Sequence, residues 1–380
     1  MAKPRMTGRE RILAAIRHEA PDRVPISPRV GAWLTAEYGD ASIGTQMEKL
    51  PDMDVMHIVG DGTPNYLDSY PDEYDLPEVQ VDQRRYQEGD VRVVERTFHT
   101  PAGDLSDRTV IPPAGGVYGV SPNPFKTEHL VKGPEDLDAL SYVFHEVNTD
   151  FDFLQDYGEQ VGDRGVVMVC IRGALDHHAG FARGVQDLMT DYYDDRAFFD
   201  DLLWMFHRRS LAQARAALEG GAEFIFGSWY FHSLSVGWSP AIFERVFVPQ
   251  IQEHVALAHS YDAYYDYYDD GKLKGSMEMI ARTGVDVLET CTPPPVGDFD
   301  LATAKQRIGD RTTLKGYVDL LYVVKHGTPA LVERTVREAM EVARPGGGFI
   351  IGSSDSFREG TPRENIAAYF EACKRYGVYR

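Results

Sequence analysis

AYYDYYDDGK, residues 263–272, is the stretch that decides which fold the sequence predicts. Its first six residues are mostly aromatic, which is typical of a β-strand. Asp269, Asp270 and Gly271 follow at once, and a glycine after two acidic residues indicates that the chain turns there. The stretch therefore predicts a strand over 263–268 with carboxylates directly after its carboxyl end.

Short apolar runs of similar length occur along the rest of the chain, and most precede a stretch with helical periodicity. The candidate strands are 23–26, 54–59, 166–171, 223–227, 263–268, 285–289, 312–316 and 348–352. Strands that alternate with helices imply a parallel sheet, and eight of them are what a closed (βα)8 TIM barrel needs. We predict this barrel, while a doubly wound open sheet, which has the same alternation, stays an alternative.

Three of the intervening helices have recognisable first turns. Ser239 and Thr328 each stand directly before a proline, which is the pattern of an N-cap followed by the first helical residue. Thr361 stands three residues before Glu364, and this spacing predicts a capping box.

The stretch VRVVERTFHTPAGDLSDRTVIP, residues 91–112, interrupts the alternation of strands and helices. Apolar and polar residues alternate on both sides of a turn at 101–104, which predicts a β-hairpin. We interpret the hairpin as an insertion between the second and third strands of the barrel. No internal repeat or low-complexity linker divides the chain, so we predict one domain over residues 1–380.

The composition argues against several classes of protein. The 380 residues include 39 basic and 59 acidic side chains, for a net charge of −20. Such an acidic surface repels nucleic acid and anionic membrane, so neither is expected as a partner. No apolar run is long enough for a membrane-spanning helix, and the first residues predict an amphipathic helix rather than a signal peptide. Three widely separated cysteines predict no disulfide framework, and we expect a cytoplasmic protein.

Carboxylates stand at the ends of three predicted strands. Asp270 follows the strand at 263–268, Glu289 ends the next one and Asp355 follows the last one. Because the carboxyl ends of parallel strands meet at one edge, these side chains are expected to converge. Such oxygen donors form either a divalent-metal site or an acid–base set, and solvated helix caps are the alternative. Tyr268 adds a phenol that can donate a hydrogen bond or a proton.

Histidine and aromatic side chains are predicted near the same edge. The ends of the third, fourth and seventh strands bring His177, His178, Trp229, His232 and Tyr317. Adjacent histidines on a loop point in different directions, so at most one of His177 and His178 is expected to bind substrate. The aromatic side chains would form a wall for a planar ligand, or would only pack their loop onto the barrel.

Four stretches are similar to one known family. Residues 6–26 resemble its opening helix and first strand, and residues 234–259 resemble a later helix that contains prolines. Residues 284–319 and 327–377 carry the most specific similarity. On these stretches the chain is identified as a member of the uroporphyrinogen decarboxylase superfamily, which also contains corrinoid-dependent methyltransferases. The resemblance covers nearly the whole chain and implies a (βα)8 barrel with the active site in its mouth.

Within the superfamily the chain resembles the methyltransferase branch, particularly its ether-demethylating members. That resemblance implies transfer of a methyl group from an O-methyl substrate, such as a methoxylated aromatic, to the corrinoid (cobalamin) of a partner protein. Methyltransferase members hold zinc with a His-x-Cys-Gly motif and a later cysteine, and this chain has Tyr268, Asp270 and Asp355 at the matching positions. Zinc prefers Cys and His. Asp270, Asp355 and Glu289 could hold zinc more weakly or a harder cation, or the site could be metal-free.

Two other functions stay open. Decarboxylase members use an aspartate at a strand end and an arginine-rich loop, and here Asp61 matches the aspartate while Arg29 is the candidate arginine. One arginine is few for a substrate with many carboxylates. A barrel that only binds an aromatic ligand is the second possibility. No nucleotide cofactor is expected, because PGGGF at 345–349 lacks the lysine of a phosphate loop, and the family implies a homodimer.

Overall fold

The computed structural model describes residues 5–113 and 123–379. Contacts divide the chain into two compact units, which are described separately. Unit 1 comprises Met1–Asp61, Thr149–Ile171 and Ala214–Arg380, and unit 2 comprises Gly62–Asn148 and Arg172–Gln213. A single domain over the whole chain stays a prediction.

The described residues form eleven strands: β1 Val55–Gly60, β2 Gln80–Glu88, β3 Val91–Thr100, β4 Gly103–Ile111, β5 Phe125–Glu128, β6 Gly165–Arg172, β7 Phe224–Ser228, β8 Tyr264–Tyr268, β9 Val287–Thr290, β10 Thr313–Val318 and β11 Phe349–Ser353. They also form thirteen α-helices: α1 Gly8–Ile16, α2 Gly31–Tyr38, α3 Ile43–Lys49, α4 Leu137–Leu140, α5 Phe153–Val161, α6 Val185–Asp194, α7 Arg196–Glu219, α8 Pro240–Ile242, α9 Val248–His259, α10 Met277–Ala281, α11 Leu301–Arg307, α12 Pro329–Ala343 and α13 Arg363–Tyr376. None of these helices is both long enough and apolar enough to span a bilayer.

Unit 1 is built on a curled parallel sheet of seven strands in the order β1-β6-β7-β8-β9-β10-β11. Seven of the eight predicted strands are therefore present, each within a few residues of its expected limits. Their central residues are almost all buried, as in a parallel sheet that is covered on both faces. The fold is a mixed α/β fold whose functional side chains are expected at the carboxyl ends of the strands.

The predicted first strand, residues 23–26, differs from the other seven. Ile26 makes one parallel bridge to Ile351 of β11. On the other side, its carbonyl accepts a hydrogen bond from the N–H of Asp54. Pro25 has no N–H to donate, and Pro28 follows two residues after Ile26, so a regular ladder cannot extend. The closed (βα)8 barrel is accordingly not confirmed, and the seven-stranded sheet is the architecture observed in the described residues.

Two of the three predicted helix caps are confirmed. Ser239 and Thr328 accept hydrogen bonds from backbone N–H groups three residues later, at 3.2 and 3.3 Å. The capping box at Thr361 is wrong, because α13 begins at Arg363 and Pro362 occupies its N-cap. The hydroxyl of Thr361 instead donates to the carbonyl of Arg358 at 2.7 Å, in the turn before the helix.

Unit 2 contains a four-stranded antiparallel sheet in the order β2-β3-β4-β5. The predicted hairpin is confirmed as β3 and β4, which pair from Thr100 opposite Gly103 outward. The sheet is held by a buried ion pair in which Arg96 contacts both oxygens of Asp107, at 2.9 and 2.5 Å, and Lys126 contacts the same carboxylate. Burial lowers the pKa of Lys126 to about 8, and Arg96 adds to this effect.

Candidate active site

The carboxyl edge of the unit 1 sheet carries the predicted carboxylates. Tyr268 ends β8 and Asp270 lies two residues beyond it, Glu289 lies within β9, and Asp355 lies two residues beyond β11. Since β8, β9, β10 and β11 are parallel neighbours, their carboxyl ends lie at one edge. This edge of unit 1 is the candidate active site.

Asp270 is a carboxyl group that retains its proton unusually well. Burial raises its pKa to about 6, and the neighbouring carboxylate of Asp355 adds to the effect, while the hydroxyl of Tyr268 opposes it. One oxygen, Oδ1, is buried and has no hydrogen-bond partner among the described residues. Burial also raises the pKa of Tyr268, with Asp355 and Asp270 contributing, so its phenol keeps its proton. The edge thus places a carboxyl group that keeps its proton up to about pH 6 beside a protonated phenol.

Arg29 connects Tyr268 to Asp355. Its Cζ lies 4.5 Å from the centroid of the Tyr268 ring, and its Nη1 is 3.5 Å from Oδ1 of Asp355. Burial works against the charge of Arg29, but the carboxylates of Glu289 and Asp355 and the phenol of Tyr268 outweigh it and raise its pKa. The second oxygen of Asp355 accepts a hydrogen bond from Arg358 at 2.8 Å. Asp355 therefore lies between two guanidinium groups.

A second buried cluster is formed by Asp266, Glu289 and Lys315, which lie on β8, β9 and β10. The Nζ of Lys315 is 2.6 Å from Glu289 and 3.7 Å from Asp266. Burial and the charge of Glu289 raise the pKa of Asp266 well above its ordinary value, although Lys315 opposes them. Burial acts against the charge of Glu289, yet Lys315 and then Arg29 lower its pKa. Glu289 is thus the anion that pairs with Lys315, and Asp266 holds the proton.

The sequence analysis did not identify Asp266 or Lys315 as site residues. The signal for Asp266 was present, because the two-residue period of a strand puts it on the same face as Tyr268. Lys315 lies inside the apolar strand TTLKG, where an unpaired lysine would be costly. A buried lysine requires a carboxylate partner, but the sequence alone does not say which one.

The predicted metal ligands do not form a metal site. Among residues 5–113 and 123–379, no group of three or more His, Cys, Asp or Glu side chains is arranged to hold a metal ion. Two of the three predicted ligands already pair with cations: Asp355 with Arg29 and Arg358, and Glu289 with Lys315. A divalent ion would have to displace these partners. The donor set Asp270, Asp355 and Glu289 therefore favours the metal-free alternative that the sequence left open, and a bound metal stays a prediction.

The aromatic side chains after β7 belong to the interior of unit 1. Trp229 is fully buried, and its Nε1 donates to the hydroxyl of Tyr265 at 2.9 Å. His232 is also fully buried, with its ring edge-on to Trp229 and to Phe247 at 4.6 and 4.9 Å. Both side chains are enclosed by protein and do not offer the open ligand wall that the sequence predicted. Packing, which was the alternative interpretation, accounts for them.

Tyr317 and Asp61 keep positions compatible with the predictions. Tyr317 lies near the end of β10, is partly exposed and has a φ of 90°. Asp61 follows β1 directly and is also partly exposed. Roles of Tyr317 in substrate binding and of Asp61 in catalysis stay predictions.

His177 and His178 belong to unit 2 and differ sharply in how far their side chains are buried. His178 is buried, stacks on Phe206 with 5.4 Å between ring centroids, and has its pKa lowered to about 3 by burial and by the charge of Arg172. It is a neutral packing residue, so its predicted contact with substrate is not supported. His177 is partly exposed, and its Nδ1 is 2.9 Å from the carboxylate of Asp68. A role of His177 in substrate binding stays a prediction.

A cavity of about 640 Å³ lies among residues of unit 1 that precede the strands, including Asp54 before β1 and Arg164 before β6. Its charged groups are extensively paired. Arg11, for example, contacts Asp22 at 2.6 Å and Asp54 at 3.0 Å. Because the chemistry of parallel α/β sheets is found at the carboxyl ends of the strands, we assign this cavity a structural role.

A parallel sheet whose carboxyl edge combines proton-bearing acids with buried ion pairs has the features of an α/β enzyme. The chain belongs to the uroporphyrinogen decarboxylase (URO-D) family, whose profile matches residues 41–376. The expected superfamily is thereby confirmed.

The names of individual relatives give two activities, decarboxylation and methyl transfer. The chloroplastic uroporphyrinogen decarboxylase of Zea mays is 29% identical over 189 residues, which is 48% of this chain and 44% of the relative. A methylated-thiol–coenzyme M methyltransferase of Methanosarcina mazei is 30% identical over 112 residues, 30% of this chain and 27% of the relative. The chain spans about half the length of the first curated relatives, with 44%, 57% and 41% covered.

The structure is also similar to a solved methyltransferase from Methanosarcina mazei. The TM-score is 0.63, and the similarity covers 98% of this chain and 99% of the other, at 16% sequence identity. At that identity the similarity concerns the fold alone. The relatives are thus named as decarboxylases and as a methyltransferase. The geometry of the site is needed to choose between these two activities for this chain.

Proposed function

We propose that this protein is a methyltransferase that moves a methyl group from an O-methyl compound, such as a methoxylated aromatic, to the corrinoid of a partner protein. The observation that carries the proposal is Asp270, a buried carboxyl group with a pKa of about 6 beside the phenol of Tyr268. An alkoxide or phenoxide is a poor leaving group unless it is protonated, so ether cleavage needs an acid of this kind.

In the proposed reaction the bond between the methyl carbon and the ether oxygen breaks, and the oxygen keeps the bonding electron pair. Asp270 donates its proton to that oxygen, so the products are an alcohol or phenol and the Asp270 carboxylate. Tyr268 then donates a hydrogen bond to the carboxylate, in agreement with its lowering of the Asp270 pKa. The corrinoid would supply the nucleophile that accepts the methyl group.

The charge balance of the site favours a neutral substrate over a polyanionic one. Arg29 and Arg358 share Asp355, and Lys315 pairs with Glu289. Each of these cations is therefore already committed to a carboxylate. A porphyrinogen with many carboxylates needs several uncommitted cations around it, whereas an ether needs none.

A decarboxylase that acts through Asp61 is the second candidate, because decarboxylases predominate among the curated relatives and Asp61 follows β1 directly. It would release carbon dioxide without a methyl acceptor, so product analysis separates the two functions. A barrel that only binds an aromatic ligand is the third candidate, and it would yield neither carbon dioxide nor a methylated acceptor.

The proposal is tested by incubating the purified protein with a panel of methoxylated aromatics and cob(I)alamin as methyl acceptor. We expect equimolar methylcobalamin and free phenol for at least one substrate, and a rate reduced by about 10²-fold in D270N. D262N is the matched control, because Asp262 is an exposed residue with φ 58° just before β8, a conformation that asparagine also adopts. Carbon dioxide without methylcobalamin would instead support the decarboxylase.

Two further expectations accompany the proposal. Cys170, Cys291 and Cys373 carry thiols rather than disulfides, and we expect the protein in the cytoplasm, as the sequence predicts. The corrinoid protein and a second copy of this chain are the partners that the family leads us to expect. Co-purification and light scattering test the two partners separately.

A further inference from the structure

The antiparallel sheet of unit 2 has two edges of different kinds. At one edge, β5 has four residues, and its ladder with β4 contains a register shift between Arg108 and Thr109. At the other edge, β2 has nine residues and pairs with β3 in one unbroken register. Short strands, bulges and prolines protect a sheet edge against pairing with a further strand, and β2 has none of these features.

The turn between β2 and β3 determines which backbone groups of β2 face outward. Only two residues separate Glu88 from Val91, so Glu88 and Val91 form the hydrogen-bonded pair that closes a two-residue hairpin. Since hydrogen-bonded pairs alternate along an antiparallel ladder, the even-numbered residues of β2 bond to β3 and the odd-numbered residues face the open edge. No hydrogen bond within residues 5–113 and 123–379 reaches the outward backbone groups of Val81, Gln83, Arg85 and Gln87.

Two opposite charges stand side by side on this edge strand. Asp82 and Arg84 are two residues apart, so their side chains project from the same face of the sheet, and they are 66% and 71% exposed. Both line a shallow depression of about 420 Å³ whose walls are residues of β2 and β3 alone, so this face is open. Their contacts within the chain, to His99 at 3.2 Å and to Glu95 at 3.6 Å, are surface ion pairs that contribute little energy.

We propose that β2 pairs with β2 of a second copy of this chain, antiparallel about a twofold axis, so that the two four-stranded sheets form one continuous sheet. The axis must stand perpendicular to the sheet, because only then do facing residues of the two strands project from the same face. One residue of β2 then lies opposite its own counterpart, and this central residue determines the whole register.

The charges of β2 favour a register centred on Gln83. In that register Asp82 of each copy lies opposite Arg84 of the other copy, which gives two attractive pairs. Both are non-hydrogen-bonded pairs of the ladder, in which the side chains approach most closely. Gln83 is also one of the residues whose N–H and C=O face outward, so the centre of the contact is hydrogen-bonded.

Other registers match the charges less well. A centre at Asp82 or at Arg84 sets that residue opposite its own counterpart, so like charges repel. A centre at Tyr86 joins Arg84 to Glu88, but β2 then pairs over two residues on either side of the axis instead of three. The nine residues of β2 include two acidic and two basic side chains, so the strand is neutral in a chain whose net charge is −20. The proposal rests only on contacts within unit 2 and holds whether or not the protein transfers methyl groups.

Exchange of the two charges tests the contact. D82R sets arginines opposite each other and R84E sets carboxylates opposite each other, whereas a mixed dimer of the two variants has only attractive pairs. We expect the wild-type protein to sediment as a dimer at about 50 µM, and each variant alone to have a Kd at least about ten-fold higher. An equal mixture of D82R and R84E should recover the dimer, and native mass spectrometry should identify it as the mixed species.

R92E is the matched control. Arg92 is exposed on β3, so R92E changes the net charge as R84E does and should leave the dimer intact. A monomeric wild-type protein at about 50 µM, an unchanged Kd in both D82R and R84E, or a mixture that stays monomeric would overturn the proposal. A dimer that is lost in R84E and kept in D82R would overturn the register centred on Gln83.

A second measurement needs no variant. Amide hydrogen exchange of the wild-type protein is followed at single residues as the protein concentration rises. The amides of Val81, Gln83 and Arg85 should become protected, because dimerisation gives them hydrogen-bond partners, whereas those of Asp82 and Arg84 already bond to β3 and should not change. Protection that does not depend on concentration at the three odd-numbered residues would contradict the contact.

Discussion

The ammonium group of Lys315 lies 2.6 Å from the carboxylate of Glu289, and both side chains are only 2% exposed. Removing one partner of such a pair leaves an uncompensated buried charge. We expect K315M to lower the free energy of unfolding by about 3–5 kcal/mol. Urea unfolding of the single variants and of the double variant K315M/E289Q measures the coupling.

The double variant should regain part of the stability lost in K315M, because both charges are then absent. The exposed pair of Arg311 and Asp310 is the control, and R311M should leave the unfolding midpoint unchanged. If K315M unfolds at the wild-type urea concentration, Glu289 does not depend on Lys315 for its charge.

Asp270 makes the stability of the protein depend on pH. Its pKa is raised from 3.8 to about 6 in the folded state, so the folded protein binds the proton more tightly than the unfolded chain does. The resulting stabilisation, up to about 3 kcal/mol, is fully present below pH 3.8 and is lost as the pH rises through 6. Relative to wild type, D270N should therefore lack this component. The difference in unfolding free energy between the two proteins, measured from pH 4 to pH 7, should vary by this amount, and a constant difference would speak against the shifted pKa.

Asp355 and Tyr268 should move the pKa of Asp270 in opposite directions. The carboxylate of Asp355 raises that pKa, whereas the hydroxyl of Tyr268 lowers it. We therefore expect D355N to lower the pKa of Asp270 and Y268F to raise it. Carbon-13 NMR of labelled aspartate carboxyl groups measures both, and shifts of equal sign in the two variants would contradict the arrangement.

Chelation should not affect the activity. Since Asp355 and Glu289 are committed to Arg29, Arg358 and Lys315, the proposed reaction relies on protons and not on a bound ion. Treatment with EDTA, followed by metal analysis and the methyl-transfer assay, tests this expectation. A stoichiometric divalent ion that is lost in both D270N and D355N would restore the predicted metal site.

The sequence predicted the elements of this fold well where the pattern was local. Seven strands and the β3–β4 hairpin follow from alternating or continuous apolar runs, and the caps Ser239 and Thr328 follow from a short motif. Residues 23–26 were predicted as a full strand but form only an isolated bridge at Ile26, because prolines lack the N–H groups that a ladder needs. The cap at Thr361 failed because its hydroxyl bonds within the preceding turn.

The site was harder to predict because its chemistry depends on pairs that are distant in sequence. Asp270 and Asp355 were placed at the correct strand ends, yet the roles of the carboxylates depend on which cation each one meets. Lys315 neutralises Glu289 across 26 positions, and Arg29 reaches Asp355 across 326. Such pairings are set by neighbouring strands and are not visible in a linear motif.

The most direct test of the central claim is the rate of methyl transfer from a methoxylated aromatic to cob(I)alamin as a function of pH. The account predicts that the rate of the wild-type protein falls as the pH rises through about 6, because Asp270 must be protonated. In D270N the rate should be low and independent of pH in that range. A wild-type rate that stays constant from pH 5 to pH 8, or an equally active D270N, would contradict the role of Asp270 as the acid.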